Sequence, residues 1–199
     1  MTWKRTSVVT ASGEEPVSVA EMRDHLTLEI DADDAYLEQL IAAARGHAES
    51  LTNRKIMDTV VQMVVPDFPI KQIELPFGAT ISVTSIAYVD TAGATQTLLG
   101  SASPAVFQSD LTDDEGAVLW PLKGTDWPGV DTDDISPVTV TWVAGYGTDS
   151  EDVPAALRHA IKLQVAEWYE ARWNAEAPAG STPLFEMALS PFKVIRYGA

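Results

Sequence analysis

Cysteine is absent from this 199-residue sequence, and histidine and basic residues are scarce. Without cysteine the chain can have no disulfide, no thiolate metal ligand and no cysteine nucleophile. Thirteen basic residues stand against 29 acidic ones, which gives a formal net charge of −16. Because affinity for DNA depends largely on Lys and Arg at the phosphates, this balance argues against a DNA-binding surface. The charge is typical of a soluble protein, or of a surface beside which DNA slides without adhering.

Long apolar runs are also missing from the sequence. No stretch approaches the roughly 20 apolar residues that a membrane helix needs, so we expect no membrane partner. The first five residues lead into no apolar run, and we expect no signal peptide. Hydrophobic residues make up 46% of the chain, as in ordinary globular proteins. A chain of this length buries roughly 70% of its unfolded surface, in one large domain or in a domain with a sizeable insert.

The common catalytic motifs are missing as well. The three histidines, His25, His47 and His159, have no metal-ligand spacing between them. There is no Gly-x-Ser-x-Gly nucleophile elbow and no phosphate-binding loop. We therefore predict that the protein is not an enzyme and needs no cofactor or metal. A hydrolase that uses acidic residues of 110–134 is the weaker alternative, and it requires two carboxylates about 5 to 9.5 Å apart in a cleft.

Helical periodicity occupies both ends of the chain. Ser18 and Glu21 form a predicted capping box at the start of a short helix over about 19–26. A second amphipathic helix follows an acidic cap at Asp31, Asp33 and Asp34 and continues to about residue 51. A third helix is predicted over about 155–175, with an apolar surface wider than one face.

Between these helices the hydrophobic period changes to that of β-strands. Residues 59–65 and 137–143 are β-branched and apolar, and the turn sequence at 90–93 predicts a hairpin. A phase slip near Ser85 predicts a bulge. We expect about five or six short strands in a β insert over about 59–147. The predicted fold class is α+β, with a helical core of one short N-terminal helix and two long helices, an inserted antiparallel β region and an extended C-terminal tail.

From these elements we predict that the chain divides into three parts. Residues 1–15 read as an irregular or weakly extended arm, residues 16–176 as a single α+β domain, and residues 177–199 as a linker and docking tail. The tail is apolar and mildly basic, which suits docking on a partner, and folding back onto its own domain is the equal alternative. Its candidate anchors are Phe185, Met187, Leu189, Phe192, Val194, Ile195 and Tyr197.

An acidic segment covers residues 110–134, where eight acids stand against one base, a net charge of −7. Its acids are Asp110, Asp113, Asp114, Glu115, Asp126, Asp131, Asp133 and Asp134. Alternating aspartates can bind calcium, but the EF-hand pattern fails because Glu115 stands where that loop needs glycine. We favour a solvated acidic surface, or a wall that faces DNA or a partner, and calcium binding stays open.

Seven short segments, each weak alone, occur in an order that is typical of one protein family. They are PVSVAE at 16–21 with HL at 25–26, DAYL at 34–37 through IAAAR at 41–45, LTNR at 51–54, IELP at 73–76, VTSIAYVD at 83–90, VAGYG at 143–147, and VPAAL at 153–157 through EWYE at 167–170. In this order the chain resembles the head–tail connector (adaptor) proteins of long-tailed phages and of gene transfer agents. The long β insert and tail are most similar to the gene transfer agent version.

The resemblance implies a structural protein without catalytic residues. It implies a cyclic ring, usually dodecameric, that docks under the portal protein and above the stopper or tail-completion proteins, with DNA passing through it. The tail is then the candidate portal-binding segment. Assembly would occur in the bacterial cytoplasm, before the protein joins the particle neck. Another virion component, such as a tail-completion or baseplate protein, is the alternative. Residues 77–79, Phe-Gly-Ala, depart from the family, which has a basic residue and a proline there.

Overall fold

The structure of the protein is a computed structural model. It describes residues 4–11, 13–29, 31, 33–102, 106–112, 116–172 and 182–194. The described residues form two compact units, which we call the β unit (4–11 and 58–145) and the helical unit (13–57 and 146–194). The α+β fold class is confirmed. Most of the β unit comes from Asp58–Gly145.

Two antiparallel sheets make up the β unit. The strands are β1 (Arg5–Ala11), β2 (Thr59–Val65), β3 (Ile73–Glu74), β4 (Thr80–Val89), β5 (Thr95–Leu99), β6 (Gln108–Asp110), β7 (Val118–Trp120) and β8 (Val138–Ala144). The larger sheet has the order β1-β2-β8-β4-β5, and the smaller has the order β3-β7-β6. The N-terminal arm, predicted as irregular or weakly extended, contains a regular strand, since Arg5–Ala11 pairs with β2.

Three local sequence patterns in the β unit form the structures that they predict. In β2 and β8 every second side chain is buried, because alternate residues of a strand point to the same face. The register of β4 on β8 shifts between Val83 and Ser85, which confirms the predicted bulge. The predicted hairpin turn is confirmed too. The Gly93 N–H donates to the Asp90 carbonyl at 2.9 Å, and Gly93 has a φ of 79°.

The segment that departs from the family has an unusual backbone. Phe77 and Ala79 both lie in the left-handed region, with φ of 66° and 60°. Residues other than glycine seldom adopt this conformation, so a turn of this kind depends on its surroundings. The Ala79 carbonyl accepts the Gly145 N–H at 2.9 Å, which holds the turn against the end of β8.

Four helices make up most of the helical unit. They are α1 (Val19–Leu26), α2 (Asp34–Thr52), α3 (Ala155–Ala171) and α4 (Pro183–Leu189), with 3₁₀ turns at Ser150–Asp152 and Ser190–Phe192. The Ser18–Glu21 capping box forms as predicted. The core lies where α1, α2, α3 and α4 meet. In the described part of the chain, no helix combines the length and apolar character that crossing a membrane requires.

Candidate functional site: the assembly surfaces

The C-terminal segment is folded rather than extended. Thr182 accepts the Phe185 N–H on its side-chain oxygen at 3.1 Å, and Pro183 occupies the first turn. A threonine cap followed by proline is a standard helix start, because proline's missing N–H is not needed there. The expectation of an extended tail was therefore wrong for Pro183–Leu189, which forms α4.

Several of the predicted tail anchors belong to the core of the helical unit. Phe185 and Leu189 are fully buried, and Val194 is 5% exposed. The Phe185 ring stacks on the imidazole of His47, with centroids 5.6 Å apart and planes 10° apart. These contacts support the alternative in which the segment folds back onto its own domain.

Backbone hydrogen bonds hold the end of the same segment. The Val194 N–H donates to the Thr52 carbonyl at 2.9 Å, and the Arg54 Nε–H donates to the Phe192 carbonyl at 2.7 Å. Met187, by contrast, is 66% exposed, so it is free to meet a partner. Ile195 and Tyr197 lie outside the described residues. Binding of the portal by the seven tail residues stays a prediction.

The acids of the predicted acidic surface stabilise turns where the structure describes them. Asp110 accepts the Thr112 N–H at 3.0 Å, and the Asp131 carboxylate accepts the Asp133 N–H at 2.9 Å. Asp134 accepts the Ser136 N–H in the same way. Asp113, Asp114 and Glu115 lie outside the described residues. Because short carboxylates that cap a turn are a common local motif, folding alone accounts for these three acids.

One end of the larger sheet carries three loops, which we call the loop end. Val65 of β2 pairs with Val138 of β8, and Tyr88 of β4 pairs with the same residue from the other side. The loops 66–72, 90–94 and 131–137 therefore leave the sheet at one end. The strand ends Ala11, Thr59 and Ala144, where the chain leaves the β unit, lie at the opposite end.

The chain matches particle proteins in sequence and in structure. The sequence model of the phage gp6-like head–tail connector proteins matches residues 16–100. A solved chain from the neck of an empty gene transfer agent (GTA) particle, computed with C6 symmetry, is 25% identical, with a TM-score of 0.78 and 97% of each chain covered.

Two further solved structures are similar. A chain of the neck of a native GTA particle, computed with C12 symmetry, is 25% identical over 97% of each chain, with a TM-score of 0.70. A chain of the virion of a native gene transfer agent particle is 24% identical over 96% of each chain, with a TM-score of 0.76. None of the curated proteins compared with the chain matches it.

Residues 16–100 thus match the head–tail connector family, and the chain is called the connector below. The matching family and the neck chains that the connector resembles are structural components of particles, so a structural role, rather than catalysis, is indicated. Asp110, the first acid of the acidic segment, supports the same conclusion. A carboxyl group that serves as a general acid near neutral pH needs a raised pKa. In the connector the Thr112 hydroxyl, followed by the Thr112 N–H, lowers the pKa of Asp110. No group of three or more potential metal-binding side chains occurs among the residues that the structure describes.

Sequence reasoning missed a polar cluster that joins the start of α2 to the end of α3. Asp33 accepts the hydroxyl of Tyr169 at 2.5 Å and two N–H groups of Arg172 at 3.2 and 3.0 Å. The Arg172 guanidinium also lies over the Tyr169 ring, 4.2 Å from its centroid, and 5.4 Å from that of Tyr36. An Asp33 side chain was expected only as a helix cap, and here it makes no side-chain cap hydrogen bond. Its partners are 136 and 139 residues away, so no local pattern indicates the cluster.

We expect the substitution Asp33→Asn to destabilise the connector relative to the wild type, and to do so by more at pH 7 than at pH 3. The hydrogen bonds from Arg172, then from Tyr169, lower the pKa of Asp33 in the folded state. Stability from a carboxyl with a lowered pKa is present above its unfolded pKa, about 3.9, and is lost as the pH falls through the folded pKa. The Tm difference between the two proteins should therefore shrink in acid. Thermal melts from pH 7 down to pH 3 measure it.

Asp24→Asn is the matched control, since Asp24 is an exposed aspartate of α1. It should change the Tm little at either pH. A wild-type advantage over Asp33→Asn that stays constant between pH 7 and pH 3 would contradict the role of the charged carboxylate.

Proposed function

We propose that the connector forms a cyclic ring in the neck of a gene-transfer-agent-like particle, between the portal and the tail-completion proteins. The observation that carries the proposal is a match over 97% of both chains to a component of a particle neck computed with C12 symmetry. A ring of identical copies needs two different contact surfaces on each copy, and it closes when the rotation between neighbours divides a full turn. The C6 and C12 symmetries of the two similar necks support such a ring.

Charge supports the passage of DNA through this ring. With a net charge of −16, the connector offers few cations to the phosphates. Six of its described bases are already in salt bridges with its own carboxylates, namely Arg23, Arg45, Lys55, Arg158, Lys162 and Arg172. A ring of such subunits lets DNA move past without strong adhesion.

Electron microscopy of particles assembled with the connector tests this function. We expect a ring of density in the neck with the shape of this chain, and DNA density along its axis in filled particles. A connector density confined to the distal tail or the baseplate would favour the alternative virion component. Absence of the chain from purified particles would reject the adaptor role.

The portal-binding part of the proposal depends on the exposed face of α4. Leu184 and Met187 are 51% and 66% exposed, while Phe185 and Leu189 are committed to the core. Removal of residues 184–199 would disturb that core, so point substitutions test docking more cleanly. We expect the double variant Leu184→Ser/Met187→Ser to fold normally. Because it lacks two apolar contacts, its binding to portal-bearing heads should fall by about tenfold or more. Sedimentation of labelled connector with tailless heads measures the binding.

The matched control is Val8→Ser/Val9→Ser, because these two valines on β1 are 49% and 52% exposed. This control should bind heads as the wild type does. Equal binding by both double variants and the wild type would reject α4 as the docking face.

A further inference from the structure

Two isoleucines at the loop end of the larger sheet face water. Ile70, in the loop 66–72, is 96% exposed, and Ile135, in the loop 131–137, is 78% exposed. They are the two most exposed large apolar side chains among the residues that the structure describes. Their loops follow β2 and precede β8, which are paired neighbours, so both isoleucines lie at the same end of the sheet. Single exposed apolar residues are ordinary, whereas apolar side chains that share one surface with a polar rim mark contact sites.

The loop that carries Ile70 is rigidly supported. Phe68, two residues earlier, is 8% exposed and stacks on the Trp127 ring, with centroids 5.0 Å apart and planes 5° apart. Phe68 also meets the Tyr88 ring edge-on at 5.7 Å. The Trp127 indole N–H donates to the Lys71 carbonyl at 3.3 Å. The contacts of Phe68 and Lys71 thus anchor the backbone on both sides of Ile70, and an anchored loop loses less entropy on binding.

The loop that carries Ile135 is fixed by its own aspartates. The Asp131 carboxylate accepts the Asp133 N–H, and the Asp134 carboxylate accepts the Ser136 N–H, each at 2.9 Å. Ile135 is the middle residue of the second turn, and its side chain is exposed to water. At the start of the loop, the Asp131 N–H donates to the Val89 carbonyl of β4 at 2.9 Å, which ties the loop to the sheet.

Acidic residues lie in the same loops as the two isoleucines, or in the cleft beside Ile70. The aspartates at or beside the loop end are Asp67, Asp90, Asp126, Asp131, Asp133 and Asp134. The bases there are Lys71 and, at the start of β1, Lys4 and Arg5. Six acids against three bases give a net charge of −3. An apolar centre with a charged rim is the usual arrangement of a protein contact surface.

We propose that the loop end docks onto a different protein of the neck, one with an apolar pocket rimmed by Lys and Arg. A second copy of the connector fits poorly as the occupant, because it has a net charge of −16 and six of its twelve described bases are already in salt bridges with its own carboxylates. Opposite charge across the rim would steer the encounter, and the isoleucines would fill the pocket. This inference rests on the proposed function, since it names a further partner for a neck ring.

Particles assembled with Ile70→Ser/Ile135→Ser in place of the wild type test the inference. We expect normal folding, with a Tm within about 4 °C of the wild type, because both side chains are exposed. We also expect the wild-type number of connector copies per head, measured by quantitative mass spectrometry. The fraction of heads that carry a tail, counted by electron microscopy, should fall at least about tenfold. The single variants should each give a smaller loss.

Val9→Ser/Leu99→Ser is the matched control, since these residues are each 52% exposed and lie in the edge strands β1 and β5 of the same sheet. It should give tailed particles at the wild-type frequency. Normal tailing by the Ile70→Ser/Ile135→Ser particles would overturn the inference. A folded variant that is missing from heads would overturn it as well, because the surface would then serve the ring or the portal. A different outcome contradicts the proposed function, namely the absence of wild-type connector from the neck.

Discussion

Phe185→Ala is expected to lower the free energy of unfolding of the helical unit by about 3–5 kcal/mol, the usual cost of removing a buried aromatic ring. Phe185 is fully buried, stacks on His47 and lies in the core that α4 shares with α2 and α3. Such a loss is large against the roughly 5–15 kcal/mol that stabilises a typical domain. Urea titration followed by far-ultraviolet circular dichroism measures it.

Met187→Ala on the same helix is the matched control. Met187 is 66% exposed, so its truncation should change stability by no more than about 0.5 kcal/mol. Amide hydrogen exchange locates the effect, and we expect faster exchange in α2, α3 and α4 of the Phe185 variant. Equal losses from the two substitutions would contradict the assignment of Phe185 to the core and would favour its role as a free anchor.

The second large effect is expected in the β unit, where Trp142→Ala should cost about 3–5 kcal/mol. Trp142 is fully buried on β8, the central strand, and pairs with Val61 on one side and Val83 on the other. Removal of its ring would leave a cavity at the centre of this core, since both neighbouring strands contribute buried side chains there. Hydrogen exchange of the β2 and β8 amides measures the loss.

Trp142→Phe is the informative companion of this variant. The Trp142 indole N–H is buried without a hydrogen-bond partner in the described structure. A buried unpaired donor costs about 1–3 kcal/mol, and phenylalanine removes it while keeping an aromatic ring. We therefore expect a loss below roughly 1.5 kcal/mol. A loss as large as that of Trp142→Ala would mean that the full indole volume, rather than the unpaired N–H, dominates at this position.

The sequence by itself determined the local elements of this connector. The Ser18–Glu21 capping box, the strand alternation in β2 and β8, and the turn at Asp90 are each encoded within a few residues. Such signals depend on the hydrogen bonds and side-chain spacing of neighbouring residues, so they can be read without the fold. The ordered set of these local motifs was also sufficient for the family resemblance, which the family match confirms.

Only the tertiary structure decided which apolar side chains are exposed and which residues lie close together. The tail residues look alike in sequence, yet Phe185 is buried and Met187 is exposed, because α4 presents one face to α2 and α3. Ile70 and Ile135 are 65 positions apart in the chain. They lie at one end of the sheet only because β8 crosses back to pair with β2. The Asp33–Tyr169–Arg172 cluster likewise depends on the packing of α2 against α3. Burial and long-range contact are properties of packed elements, so local spacing cannot encode them.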